Sequence, residues 1–393
     1  MPTNIGLTGL LTGFFSKRNL LSNLIQLLLV AAVIGGAYYL FLSTQENMAA
    51  RHIETGFSFL SQEAGFPIGD SLIDYKSSDS YGYALLVGII NTVYTAILCI
   101  ILATIIGVVV GVAQVSDNFL IAKIAKTYVE ILRNIPVLLI LIFVYGVALS
   151  SLPAVKQAIE IIPGMFLTQR GMYFPRAIPQ DGFMWIVAAI LLAIGLTVLL
   201  VKWAKRRQNL TGHSLPLFWL GSAILIGVPL IVYFVTGGPI SWEYPVLRGF
   251  NFTGGAVFRP EFLALVIGLA LYRGAFIAEN VRSGIMSVSA GQNEAAAALG
   301  VAPSRTMRGV ILPQALRTII PATTNDFASL VKDSSLAIAI GYPDMVSIGG
   351  TMIGQNGQAI EVIAIWMLVY LSINLIISVW LLMLIMNTKN SIL

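Results

Sequence analysis

Residues 279–341 read ENVRSGIMSVSAGQNEAAAALGVAPSRTMRGVILPQALRTIIPATTNDFASLVKDSSLAIAIG. The stretch begins where one long apolar run ends and closes where another begins. Its centre has the marks of a short helix. Ser289 or Gly291 can open it, Glu294 in the first turn suits the positive end of the helix dipole, and Gly300 can end it in a left-handed conformation. Between them, Gln292 to Leu299 spans about two turns rich in strong helix formers, Ala295 to Ala298. So short a helix is marginal in water and needs a partner or the rest of the loop to pack against. An alanine face is narrow enough to enter a groove on another protein. The plainer alternative is a turn tucked beneath a membrane bundle, and the run EAAAALG alone does not separate the two.

Apolar runs dominate the chain on either side. The 393 residues are 57% hydrophobic and 10% charged, against roughly 25% charged in soluble domains, and the mean hydropathy is +0.86. Too little polar surface is present to cover a soluble globule, whereas a bilayer asks for about 20 apolar residues per spanning helix. Hydropathy predicts eight spans, at 20–42, 83–114, 128–151, 183–201, 215–235, 261–282, 335–354 and 361–386. Pro343, Gly349, Gly350 and Gly354 interrupt the seventh. The first, Leu20 to Leu42, follows Lys17 and Arg18 and is longer than the roughly 7–15 residues of a signal-peptide core, so it reads as a retained span.

Of the 23 Lys and Arg residues, 15 fall in segments on the N-terminal side of the membrane, 7 on the other side, and Arg273 falls within a span. The excess of positive charge on cytoplasmic segments then places both termini in the cytoplasm. The net charge of +5 is scattered between apolar runs and does not form a nucleic-acid face. Residues 202–214 form a basic inner loop that serves as an orientation signal, and Trp185 and Trp242 sit near predicted interfaces. Cys99 lies inside an apolar run, where it packs and can form no intrachain disulfide. His52 and His213 are too far apart in the chain to suggest a metal or catalytic site. No phosphate-binding GxxxxGK[ST] run occurs, so ATP-driven transport would need a separate nucleotide-binding subunit.

Glu294-Ala295-Ala296, three residues, Gly300, nine residues and then Val310 to Pro313 resemble the EAA loop of ABC importer permeases. Val310 stands where that family usually has isoleucine. The runs AFIAENVRSGI, GQNEAA, LPQALRTIIPATTND and LVKDSSLAIAIG are similar to the polar-amino-acid branch, with Ser334 where threonine is usual. GIINTVYTAIL and YVEILRNIPVLLILIFVYG fit the same pattern, and the extra spans near 183–235 resemble the larger permease subunit of general L-amino-acid importers.

The resemblance implies an all-α integral membrane protein of about eight spans with the type I ABC importer permease fold. Residues 1–82 would be an N-terminal span with a periplasmic segment, and 83–388 the transport domain, with an insertion at about 152–260. Gly291, Gln292, Glu294, Ala295, Ala296, Ala298, Leu299 and Gly300 would form the coupling helix that docks on an ATPase. The implied partners are an ABC ATPase dimer, a homologous permease and a periplasmic amino-acid-binding protein. ATP and Mg would bind the ATPase, with no cofactor held by this chain.

Residues for a substrate path follow from charge inside spans. Tyr272, Arg273, Phe276 and Glu279 lie within two turns of the sixth span. A charge at the centre of a span costs roughly 2.5–3.5 kcal/mol on insertion scales and seldom faces lipid. Arg273 either faces the path, where its fork suits an amino-acid carboxylate, or holds a structural ion pair with Glu279 or an acidic residue of a partner. Pro321 and the nearby glycines predict a broken helix around Lys332, Asp333, Ser334 and Ser335, which could form an inner gate. Asn325 and Asp326 either join that gate or, the preferred reading, cap helices and bond to neighbouring loops. Asn91 and Thr92 either line the path or join helices. Two other readings stay open: an ABC permease for another small polar solute, and an ion-coupled carrier, for which neither an internal repeat nor many intramembrane acids speak. No nucleophile–base pair or metal cluster suggests an enzyme.

Overall fold

The computed structural model describes residues 20–50, 56–212 and 215–390. Lys17, Arg18, Arg51, His52 and His213 lie outside them. In chain order the helices are α1 (Leu20–Ala50), α2 (Tyr81–Gln114), α3 (Phe119–Asn134), α4 (Val137–Ser151), α5 (Phe183–Thr211), α6 (Leu217–Val235), α7 (Pro260–Met286), α8 (Ala290–Ala298), α9 (Pro303–Thr306), α10 (Leu312–Asp333), α11 (Met345–Asn356) and α12 (Ala359–Asn390). Helical backbone occupies all eight apolar segments. Stretches of α1, α2, α5, α7 and α12 are each long and apolar enough to cross a membrane alone, and α6 is a shorter apolar helix.

Two expected spans are not single helices. The third is divided at Pro136, whose missing N–H and ring bulk hold Ile135 extended (φ −100, ψ 133), so that α3 and α4 meet at 107°. Asn118 opens α3 by accepting from the N–H groups of Leu120 and Ile121. In the seventh, α10 begins well before the apolar run and continues through Pro321, which does not break it. A 3-10 stretch, Ser334–Ile340, follows, and Gly341 ends it in the left-handed region (φ +82).

The described residues form two compact units, one made of those up to 93 together with those from 343 onward, the other of those between 94 and 342. In the first, Phe59, Phe66, Tyr81, Leu85, Met345 and Val362 share a core. Gly88 lets the backbones of α2 and α11 touch, since a Cβ there would lie 2.9 Å from Met345 Cα.

In the second unit α7 is the central helix and is buried along most of its length. Small residues let its neighbours approach. A Cβ on Gly107 or Gly111 of α2 would lie 2.5 Å from Ile277 Cγ2 or 2.6 Å from Val281 Cβ. On α7 itself, a Cβ on Gly268 would meet Leu141 of α4 at 2.8 Å, and one on Gly284 would meet Ile319 of α10 at 2.3 Å. Such spacing of small residues is how membrane helices gain contact without a hydrophobic drive between them. From α3, Val129 packs on Ala275 and Ala278, and the Tyr128 hydroxyl donates to Leu271 C=O at 2.7 Å.

Residues 159–258 contain short strands that the sequence reading did not foresee. β1 (Ile159–Ile162), β2 (Met165–Thr168) and β3 (Gly171–Phe174) precede β4 (Arg176–Pro179), α5 and α6; β5 (Ile240–Glu243), β6 (Val246–Arg248), β7 (Asn251–Thr253) and β8 (Ala256–Phe258) follow. One antiparallel sheet runs β1-β2-β3-β8, while β4 pairs with β5 and β6 with β7. Phe252 stacks on Phe166 and packs at a tilt against Tyr173, with ring centroids 4.8 and 4.7 Å apart.

Candidate functional site

Two features of the structure gather the candidate residues. The first is α8 and its flanks. Ser289 occupies the N-cap without a side-chain bond, and Glu294 and its neighbours follow in regular helix. The C-terminus closes on backbone alone. Val301 N–H donates to Ala296 C=O and Gly300 N–H to Ala297 C=O, both at 3.0 Å, with Gly300 at φ +69. This crossed pair satisfies the last carbonyls and needs the left-handed residue that glycine supplies. Gly291, Gln292, Glu294, Ala295, Ala298, Leu299 and Gly300 are all exposed, and Ala296 alone of the set is buried. Leu299 is 81% exposed. Behind the helix, Asp117, Ile285, Val288, Asn293, Ala297 and Met307 border a cavity of about 510 Å³. A turn of π-helix at Met307–Ile311 then leads into α10, a local widening often found at functional positions.

The second feature is a charged cluster between α3, α7 and α10. The Arg273 side chain is 13% exposed and bonds Asp333 through both Nε, at 2.7 Å, and Nη2. Its Nη1 lies 3.7 Å from Asp326 Oδ1, and Asn280 Nδ2 donates to the other Asp326 oxygen. The guanidinium stands 5.4 Å from the ring centroids of both Tyr272 and Phe276. The ion pair is therefore with α10 and not with Glu279. Glu279 instead accepts from Arg282 Nε at 3.0 Å and lies 4.0 Å from Arg133. Three arginines face three carboxylates, so the cluster is close to neutral, as a charged group in a low-dielectric bundle requires.

Asn325 and Asp326 lie inside α10 and cap nothing, which corrects the sequence expectation; packing of α7 turned Asp326 toward Arg273. Ser334 and Ser335 donate back to the carbonyls of Val331 and Lys332 at 2.8 and 2.7 Å, and Lys332 is exposed. In the other unit, Asn91 and Thr92 are fully buried. Asn91 donates to the carbonyls of Asp70 and Pro343, and the Thr92 hydroxyl accepts from Met345 N–H. Both join backbone segments.

Phe276 and Glu279 also border a polar cavity of about 500 Å³ with Gln114, Lys126, Arg133 and Arg282. Sequence reasoning used Lys126, Arg133 and Arg282 only as orientation markers. The available signal was the placement of Lys123, Lys126, Glu130 and Arg133 on one side of the amphipathic α3, away from the exposed Ile121, Ile124 and Ile131.

Residues 200–392 match the family described as binding-protein-dependent transport system inner membrane component. The general L-amino acid transport system permease protein AapQ of Rhizobium johnstonii is 44% identical over 90% of this chain and 89% of its own length. The putative amino-acid ABC transporter permease protein YhdX of Escherichia coli is 45% identical over 96% of this chain and 95% of that protein. The glutamate/glutamine/aspartate/asparagine transport system permease protein BztB of Rhodobacter capsulatus is 36% identical over 90% of both chains. Near-complete coverage at this identity identifies an integral membrane permease subunit. The chain belongs to the permeases of amino-acid ABC transporters.

Proposed function

We propose that this chain passes L-amino acids across the inner membrane as half of a heterodimeric pore, driven by a separate ATPase that grips α8. The observation that carries the proposal is α8 itself: a helix closed by its own backbone, bare except at Ala296, and ending on an exposed Leu299. A small-residue helix of this kind fits a groove on another protein, and its exposed leucine gains from being covered there. Closure of two ATPase copies on ATP would pull α8. The contacts of Gly284 with Ile319, and of Arg273 with Asp333, pass that movement to α7 and α10 as rigid-body motion between inward and outward access.

In this reading α8 and both termini face the cytoplasm. Residues 83–388 form the transport domain, 152–260 an insertion in it, and 1–82 an N-terminal extension. ATP and Mg belong to the ATPase, and this chain holds no cofactor and performs no covalent chemistry. A homologous permease and a periplasmic binding protein complete the assembly. The relatives' names support amino acids as cargo.

Replacing Leu299 by Asp in the reconstituted complex is expected to lower uptake of labelled amino acids about tenfold or more, a loss of at least about 1.4 kcal/mol of coupling. The amount of chain in the membrane should not change. Uptake at the unaltered level would refute the docking role, and uptake insensitive to competing L-amino acids would refute the cargo.

A further inference from the structure

The strands between residues 159 and 258 meet α7 directly: β8 runs through Arg259 into Pro260, and α8 follows the opposite end of α7 after Ser287 to Ser289. A helix of 27 residues is about 40 Å long, enough to cross a bilayer. The strands and α8 therefore stand on opposite sides of the membrane. Open strand edges cannot lie in hydrocarbon, where their free N–H and C=O groups would find no partner. The strand module is thus in water on the side away from the ATPase, where a binding protein delivers cargo.

On this module Arg170, Tyr173, Asn251, Phe252 and Arg259 wall a pocket of about 420 Å³. Among the described residues, no carboxylate lies within ion-pair distance of Arg170 or Arg259. Glu261, also on the wall, already accepts from the Tyr145 hydroxyl at 3.0 Å. Burial pushes the Tyr173 phenol above its ordinary pKa while Arg170 and Arg259 both draw it down, so the two guanidinium groups act on one hydroxyl. Arg170 Nη1 donates to Phe250 C=O at 3.3 Å. The Phe250 ring is 75% exposed, with Lys156 Nζ 4.2 Å from its centroid. An exposed aromatic beside arginines, on a part that lipid does not cover, has the composition of a protein-binding hot spot.

We propose that this pocket and Phe250 form a docking point for the binding protein, with one of its acidic side chains seated between Arg170 and Arg259. The proposal rests on reading α8 as the ATPase-facing end. The pocket offers two cations and one engaged carboxylate. That net positive balance favours a side-chain carboxylate, which brings negative charge alone, over a free amino acid, which brings no net charge.

The test uses the assembled transporter in nanodiscs, with ATP hydrolysis titrated by its substrate-loaded binding protein. Arg170→Glu with Arg259→Glu is expected to raise the half-maximal binding-protein concentration at least about tenfold, and Phe250→Ala about fivefold, as truncation at an interface centre does. Basal hydrolysis should stay unchanged. The pair Arg170→Lys and Arg259→Lys keeps the charge but loses the fork, and should fall between the unaltered protein and the glutamate variant. An unchanged half-maximal concentration in the glutamate and Phe250 variants overturns the proposal. So does a lysine variant as impaired as the glutamate one. Loss of free labelled amino-acid binding without the binding protein, or loss of the partner permease from the purified complex, would assign the pocket elsewhere and overturn it too. A failure of the α8 reading would appear instead as hydrolysis and uptake indifferent to Leu299→Asp.

Discussion

The helix Ala290–Ala298 and the charged cluster on α7 and α10 lie in one compact unit, yet they deal with their surroundings in opposite ways. The helix leaves small and apolar side chains in water and is held by backbone bonds at its end. The cluster takes six charged groups and matches each arginine with a carboxylate. A surface left uncovered is available to another chain; a half-buried network whose charges are matched within the chain serves its own bundle. In the proposed reading Arg273 serves cohesion between α7 and α10, and the outward partner contact is left to α8.

The largest effect that would break this contrast is at Arg273. Arg273→Leu strips the counter-charge from Asp326 and Asp333, and breaking a buried ion pair from one side costs about 3–5 kcal/mol. Thermal unfolding of the purified complex should show a markedly lower midpoint. A midpoint within the range of a surface substitution would mean that the carboxylates have water, and that the cluster lines an open path. Next comes Gly284→Val, which forces α7 from Ile319 of α10 and should lower the same midpoint by overpacking worth about 1–3 kcal/mol. Smallest for the fold as a whole is Gly300→Val. A left-handed conformation costs an ordinary residue about 1–2 kcal/mol, and nothing lies within 4 Å of the site to be disturbed. Uptake should fall while the unfolding midpoint stays near its original value. A matching fall in the midpoint would mean that α8 is part of the folded core.

Much of the helix Ala290–Ala298 was legible because its signals are local. Gly300 was expected in a left-handed turn, and it stands there, since a C-terminal cap is decided by the few residues around it. The division of the third span at Pro136 was equally local and could have been read from the proline. Pro321 misled for the converse reason: one missing N–H did not outweigh the packing of α10 on α7. The strands escaped notice because three or four residues give too little alternation to separate from loop.

Composition and charge placement were sufficient for a membrane protein, because the solvent a chain needs depends on how much polar surface it has. The spacing from Glu294 to Pro313 was sufficient for the permease family, because a coupling loop is contiguous. Only the tertiary structure decided what Arg273 meets. Glu279 is two turns away on the same helix, but Asp333 is 60 residues away in sequence and becomes a neighbour only when α10 packs along α7. The arginine pocket beside Phe250 was decided in the same way, since Arg170 and Arg259 come together through the pairing of β3 with β8.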